Sequence, residues 1–164
     1  MKHRLVFHSL MLLAVFLALT STVLASSTWY VDGVHGSDSK NCKSRQHACK
    51  TIGHAISLAH SGDSIMVAAA TYTENLTISK SLTIIGSGAM TTVIDGGGHG
   101  TVVTISSTRV ALSKLTIQHG GGGILNAGTL TISYSTIRNN TGFLFGFGAG
   151  IFNRGTLTRD VNTS

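Results

Sequence analysis

Acidic side chains are scarce in this 164-residue chain, where six Asp and Glu stand against twelve Lys and Arg. They are Asp32, Asp38, Asp63, Glu74, Asp95 and Asp160, with no carboxylate between Asp95 and Asp160. A calcium site asks for about six to eight oxygens, several of them from carboxylates. Hydrolysis of a glycosidic bond asks for two carboxylates flanking it. The central stretch of the chain can supply neither set. Cysteine is just as rare, with only Cys42 and Cys49. His47 lies between them, but a fourth ligand and the usual zinc spacing are missing. The basic residues are scattered and have no stacking aromatics beside them, so the footprint of a nucleic-acid binder is absent. Beyond Gly62, no segment has helical periodicity.

What is present begins with an export pattern. Met1–Arg4 is short and basic, an apolar stretch continues to Leu19, and Val23-Leu24-Ala25 is a small-residue cleavage pattern. Residues 1–25 read as a secretory signal peptide cut after Ala25. The alternative is an uncleaved membrane anchor, for which the apolar core is short. Cleavage would leave no stable membrane span and a secreted or cell-surface chain. It would remove Lys2 and Arg4, leaving a charge of 10 − 6 = +4. Such a surface favours an acidic glycan, a teichoic-type polymer or an anionic membrane surface. In an exported chain Cys42 and Cys49 read as a disulfide. Closing so short a loop contributes roughly 2.5 kcal/mol in the chain-entropy account.

Residues 26–63 read as an N-terminal cap. Trp29-Tyr30-Val31 forms a short strand before a polar loop that holds both cysteines. Asp32 and Asp38 in that loop are the one place where a calcium ion could be shared with backbone carbonyls, and otherwise no cofactor is expected. In the segment 51–62, Ile52, Ala55, Ile56 and Ala59 make one helical stripe. Thr51 stands as N-cap and Gly62 where a C-terminal glycine is wanted. This short helix is expected to plug the open end of the strand region beyond it and protect an otherwise unpaired strand edge.

The remainder of the chain carries a repeat. GGGILNAGTLTIS at 121–133 returns as GAGIFNRGTLTRD at 148–160, so that Ile124, Asn126, Gly128 and Leu130 recur as Ile151, Asn153, Gly155 and Leu157 (151 − 124 = 27). Short Thr/Ile/Val runs bounded by Gly, Ser, Asn or Asp fill residues 64–164 and predict strands. A two-sheet sandwich could use such strands, but the fixed offset favours a stacked coil. In TLTI the side chains alternate, which predicts Leu130 and Ile132 inside and Thr129 and Thr131 outside. Asn126 and Asn153 are expected to stack at a bend, as turn formers whose amides can join across coils. The predicted fold is all-β, a right-handed parallel β-helix of about four rungs with a short N-terminal capping helix. Its last rung is expected to be incomplete, because Ile132 maps to Arg159 and Ile137 to Ser164. That pattern reads as a longer repeat protein cut short at its C-terminal end.

These residues resemble the right-handed parallel β-helix, or pectin-lyase-like, family. WYVDGVHGSDSKNC with KTIGHAISLAHSGDSIMVAAATYTENLTI resembles the cap and first rung of secreted bacterial members. The GGGI-N-GTLTIS repeats resemble bacterial surface β-helix proteins and, loosely, polymorphic outer membrane proteins. The resemblance implies the fold, whereas members of this family include lyases, hydrolases, epimerases, adhesins and inert stalks. Its polysaccharide lyases use Asp/Glu clusters on adjacent rungs to bind calcium, beside a Lys or Arg base, and its glycosidases use paired or tripled Asp. Here Asp95 and Asp63 read as turn residues, and His99 and His119 as corner residues with no acidic partner to orient them. Thr129 and Thr131 lying under Thr156 and Thr158 would make a small flat hydroxyl array for a sugar or ice ligand. The expected function is a structural, adhesin-like or glycan-contact role without catalysis, with polysaccharide or cell-envelope partners. The alternative is a fragment of a polysaccharide lyase or glycoside hydrolase.

Overall fold

The computed structural model describes residues 25–142 and 149–160. The signal-peptide segment before Ala25 and Ser164 lie outside the described residues. The chain is a parallel β-helix of about four turns. Each turn runs through three strands and three corners. The six-stranded sheet is β1 (Thr28–Val31), β2 (Ser64–Val67), β5 (Leu82–Gly86), β8 (Arg109–Ser113), β11 (Thr129–Ser133) and β14 (Thr156–Asp160). The second sheet is β3 (Ala70–Thr73), β6 (Thr92–Asp95), β9 (Thr116–Gln118) and β12 (Thr136–Arg138). The third is β4 (Leu76–Ile78), β7 (Thr101–Ile105), β10 (Gly122–Asn126) and β13 (Ile151–Asn153).

The repeat stacks as its offset requires. Ile124 pairs with Ile151, Asn126 with Asn153, and Leu130 with Leu157. Inward columns then form without a break: Ile65, Ile84, Leu112 and Ile132 in one sheet, Tyr72, Ile94, Ile117 and Ile137 in the next. Burying each such side chain contributes about 1.5–3 kcal/mol before chain entropy is subtracted. Arg159 stacks on Ile132 and is exposed, so the aliphatic column stops there. The 27-residue step is not the general one. Ile65 to Ile84 is a step of 84 − 65 = 19 and Ile84 to Leu112 one of 112 − 84 = 28. The difference sits at corners such as 87–91 and 96–100, which face solvent and can lengthen without moving the core. Strand β3 has no counterpart among the strands expected from the sequence, because Ala70-Thr71-Tyr72-Thr73 carries only one large apolar residue.

Among the described residues Asn126 is the one buried side-chain amide. Its Nδ2 donates to Asn153 Oδ1 at 2.6 Å, to Thr156 O at 3.0 Å and to Gly128 O at 3.3 Å, while its Oδ1 accepts from the Gly128 N–H. Gly128 and Gly155 lie at the same corner, where a Cβ on Gly155 would run into the Gly128 carbonyl. Backbone there lies on backbone, which is why both copies of the repeat carry glycine.

The N-terminal end is closed by two devices. A 3-10 turn (Arg45–His47) sits in the loop pinned by the Cys42–Cys49 disulfide, and that loop covers the free edge of β1. Tyr30 N–H donates to Cys42 O at 2.8 Å, and Tyr30 O accepts from Cys49 N–H at 2.9 Å. The helix, α1 (Ile52–Leu58), buries Ile52, Ala55 and Ile56 and packs on β1, β2 and β4. The edge is thus protected by the disulfide loop and the core by the helix, two tasks that the sequence assigns to the helix alone. Thr51 is the N-cap as expected, accepting from His54 N–H at 3.2 Å. The helix ends at Leu58 and not near Gly62. Lys80 Nζ reaches the carbonyls of Ile56 (3.1 Å), Ser57 (2.9 Å) and Ala59 (2.7 Å), so a lysine from the first coil terminates it. Gly62, at φ +100°, serves the turn into β2 instead.

Asp63 ties this end together. Only 5% exposed, it accepts from Ser27 N–H (2.7 Å), Trp29 Nε1 (2.8 Å) and His60 N–H (2.9 Å). Burial opposes its ionisation, but these three donors and the Lys43 charge outweigh burial and hold its carboxyl below the ordinary 3.8.

The packing makes two substitutions diagnostic. Asn126→Ala strands several buried polar groups and should lower stability by about 2–3 kcal/mol in urea unfolding, whereas Asn153→Ala, at an exposed position, should cost much less. For Asp63, a lowered native pKa means that its contribution is complete above about pH 4, the unfolded value, and is lost as pH falls through the native value. Thermal unfolding measured against pH should show this acid-side loss, and Asp63→Asn should flatten it.

Candidate functional site

Alternation places one outward row across the second sheet: Thr73, Asp95, Gln118 and Arg138, each paired in register with the next. Parallel stacking brings their side chains within reach of one another although they lie some twenty residues apart in sequence. Arg138 Nε donates to Gln118 Oε1 at 3.1 Å, and Gln118 Nε2 donates to Asp95 Oδ2 at 2.9 Å. His119, one residue past β9, adds its ring to the same carboxylate, with Nδ1 at 2.8 Å from Asp95 Oδ2.

This corrects the expectation that His119 has no acidic partner. The partner lies 24 residues upstream, across a coil step shorter than the 27-residue repeat. His119 adopts φ +52°, a conformation uncommon outside glycine, and its backbone is clamped on both sides. Its N–H donates to Asn139 O at 3.1 Å and its carbonyl accepts from Gly98 N–H at 2.6 Å. With Nδ1 directed at Asp95, Nε2 is left for solvent or a ligand, and the side chain is half exposed. Asp95 also closes its own turn, accepting from Gly97 N–H at 2.9 Å, as expected of a turn residue. Burial raises the Asp95 pKa, but the bonds from Gln118, Gly97 and His119 outweigh it and hold the carboxyl below 3.8. The row can therefore present a fixed anion, an oriented imidazole and the outer nitrogens of a guanidinium. His99 sits nearby on the Gly-rich corner, held through its backbone, and has no carboxylate partner among the described residues.

The hydroxyl rows form on the six-stranded sheet in the expected register. Thr129 pairs with Thr156 and Thr131 with Thr158, and Ser113 and Ser133 extend the array one column along. Thr156 and Thr158 are exposed, Thr129 and Thr131 half-buried. The array ends toward the cap, where Thr129 meets Arg109 and Thr131 meets Ala111.

The remaining acids hold local structure. Asp32 is held below 3.8 by the His35 amide first, against burial, with the Val34 amide and the His35 ring assisting. Asp38 accepts from Lys50 N–H, Thr51 N–H and Thr51 Oγ1 at the start of α1. These two acids are each turned onto their own donors. Glu74 accepts from Ile52 N–H at 2.9 Å and Gly53 N–H at 2.8 Å, a cap from the first coil that the sequence gives no signal for. Cys42 and Cys49 are bonded to each other, and the histidine beside their sulfurs is His54, on α1, not His47.

No family model matches the sequence, and no curated protein matches it. Among solved structures, a pectin methylesterase mutant in complex with a hexasaccharide is similar in backbone path, with a TM-score of 0.44 and 16% identity over 85% of this chain. The chain spans about half the length of that protein, covering 52% of it.

Carbon-detected titration of the Asp95 carboxyl should give a midpoint below the ordinary value. Gln118→Ala and His119→Ala should each raise it toward 3.8, since each removes a donor that favours the ionised form.

Proposed function

We propose that the chain is an exported, cell-surface or secreted β-helix whose outer faces contact glycan without cleaving it. The observation that carries this reading is the chemistry of the outward rows. Two of the three sheets present hydroxyl, amide and guanidinium groups in register across successive coils, about 4.8 Å apart. The second-sheet row holds a single carboxylate, Asp95, already committed to three donors. Two-carboxylate glycoside chemistry lacks its second acid in that row. The net positive charge and the disulfide-pinned cap accord with an extracellular setting. Among the described residues no helix is long and apolar enough to cross a membrane.

The second reading, a portion of a polysaccharide-cleaving enzyme, is favoured by one feature, the imidazole of His119 oriented by Asp95 beside Arg138. An oriented imidazole is the usual form of a general base.

The two readings separate in one experiment. The protein is incubated with pectate, alginate and neutral polysaccharides while unsaturated products and new reducing ends are measured, and the same polymers are tested for retention. Retention without turnover is the expected result. Turnover abolished by His119→Ala would replace this proposal with the enzymatic one.

A further inference from the structure

We infer that a groove along the first three strands of the six-stranded sheet binds a sulfated oligosaccharide, an inference that rests on the glycan-contact reading and narrows it to a place and a ligand. On this sheet the inward positions are apolar as far as Ile132, and the outward positions of β11 and β14 are mainly hydroxyl or charged. Nearer the cap the outward column changes character. Tyr30 pairs with Met66 and Met66 with Ile85, and all three are half-buried on the outside of the coil. Folding does not require apolar side chains there, since the core lies on the other face. Three strands about 4.8 Å apart make a strip roughly 10 Å long.

The strip forms one wall of a groove of about 460 Å³, within the usual range for small-ligand sites. Two cations from unrelated elements line the same groove, Arg45 from the 3-10 turn of the cap and Lys114 from the corner after β8. Lys114 is held at φ +57° above Gly86, where a Cβ would strike the Lys114 carbonyl, so the corner is packed backbone to backbone and the lysine's point of departure is fixed. Among the described residues neither cation has a hydrogen-bond or ion-pair partner, and the Tyr30 hydroxyl has none either. Asp32 also lines the groove, but it accepts from the Val34 and His35 amides and lies against the His35 ring. The groove is left with an excess of positive charge.

This combination suits a ligand that is both anionic and ring-faced. The apolar strip with a tyrosine suits the C–H face of a pyranose ring, with the phenol hydroxyl free to bond a sugar hydroxyl. A carboxylate can be satisfied by one guanidinium fork alone. A sulfate ester keeps three oxygens directed differently, so it can accept from a guanidinium and an ammonium at once.

The test uses the full chain and four probes: a heparin-derived tetrasaccharide, its desulfated counterpart, an oligogalacturonide of equal length and inorganic sulfate. Calorimetry should find the sulfated tetrasaccharide bound, and the other three at least about tenfold weaker. Arg45→Gln and Lys114→Asn should each weaken it about tenfold. Asn tolerates the left-handed backbone at position 114, so unchanged thermal unfolding confirms that the loss is local. Absence of binding to the sulfated probe, equal binding of the oligogalacturonide, or binding undiminished in both variants would each overturn the inference. Retention of other glycans that persists in both variants would keep the broader glycan-contact reading while removing this groove from it.

Discussion

Every feature of this molecule depends on successive coils lying in register. Each coil has only a thin apolar interior, and no single coil can exclude water from it. Pairing Ile on Ile and Leu on Leu solves this because the neighbouring coil supplies the missing wall. The parallel ladder fixes the register through the backbone, and a one-residue slip would turn every inward aliphatic outward. The Asn126 amide adds a polar check inside the coil, since its bonds to Asn153 and to the Thr156 carbonyl cross to the next coil and need that register. Functional rows on the outside inherit this precision without any fold of their own, because the coil that places Leu112 under Ile132 also places Gln118 under Arg138.

A stack of this kind is stable only if its end is closed, and the N-terminal closure joins apolar packing and a disulfide to charged side chains. The seven-residue α1 is too short to be stable alone. The first coil holds it at both ends, with Glu74 on the N-terminal amides and Lys80 on the C-terminal carbonyls. Each charge has the sign that complements the helix dipole at its end. These two residues flank β4, so the strand that begins the third sheet also fixes the length and position of the helix. Asp63 performs the corresponding task for β1, joining Ser27 and Trp29 to the turn after the helix.

The sequence reveals the parts that repeat and conceals the parts that do not. In-register copies of Gly, Asn and the aliphatics expose the coil, the inward and outward alternation and the asparagine ladder. Thr51 exposes the start of α1, because an N-cap is a local signal. The end of α1 is hidden, since the terminating group is a lysine more than twenty residues downstream. Strand β3 is hidden because its two threonines and one tyrosine do not make an apolar run. The link between Asp95 and His119 is hidden by the uneven coil length. One offset read from the last repeat cannot be extended to earlier coils whose corners differ in length. The disulfide is legible from composition and the expected export, yet its structural use, covering the edge of β1, emerges only from the hydrogen bonds of Tyr30 with Cys42 and Cys49.

The outer surface is where folding and function can be told apart. Inward positions are constrained by packing, so an aliphatic there says nothing about ligand. Outward positions are constrained only weakly, and polar residues suit them without further cause. A departure from that expectation is therefore informative, and the chain shows two. One is the bonded row from Asp95 to Arg138, whose side chains engage one another across three coils. The other is the column of Tyr30, Met66 and Ile85, apolar where solvent contact asks for polarity, which gives way to Ser113 and Ser133 once the groove ends. The first lies on the open face of a parallel sheet and the second walls a groove, and both run across successive strands. A flat face of this kind makes its best contacts with an extended polymer lying across several coils, because each coil then adds an equivalent contact at a fixed spacing. The proposal of a glycan partner therefore rests on the geometry of the coil and on no resemblance.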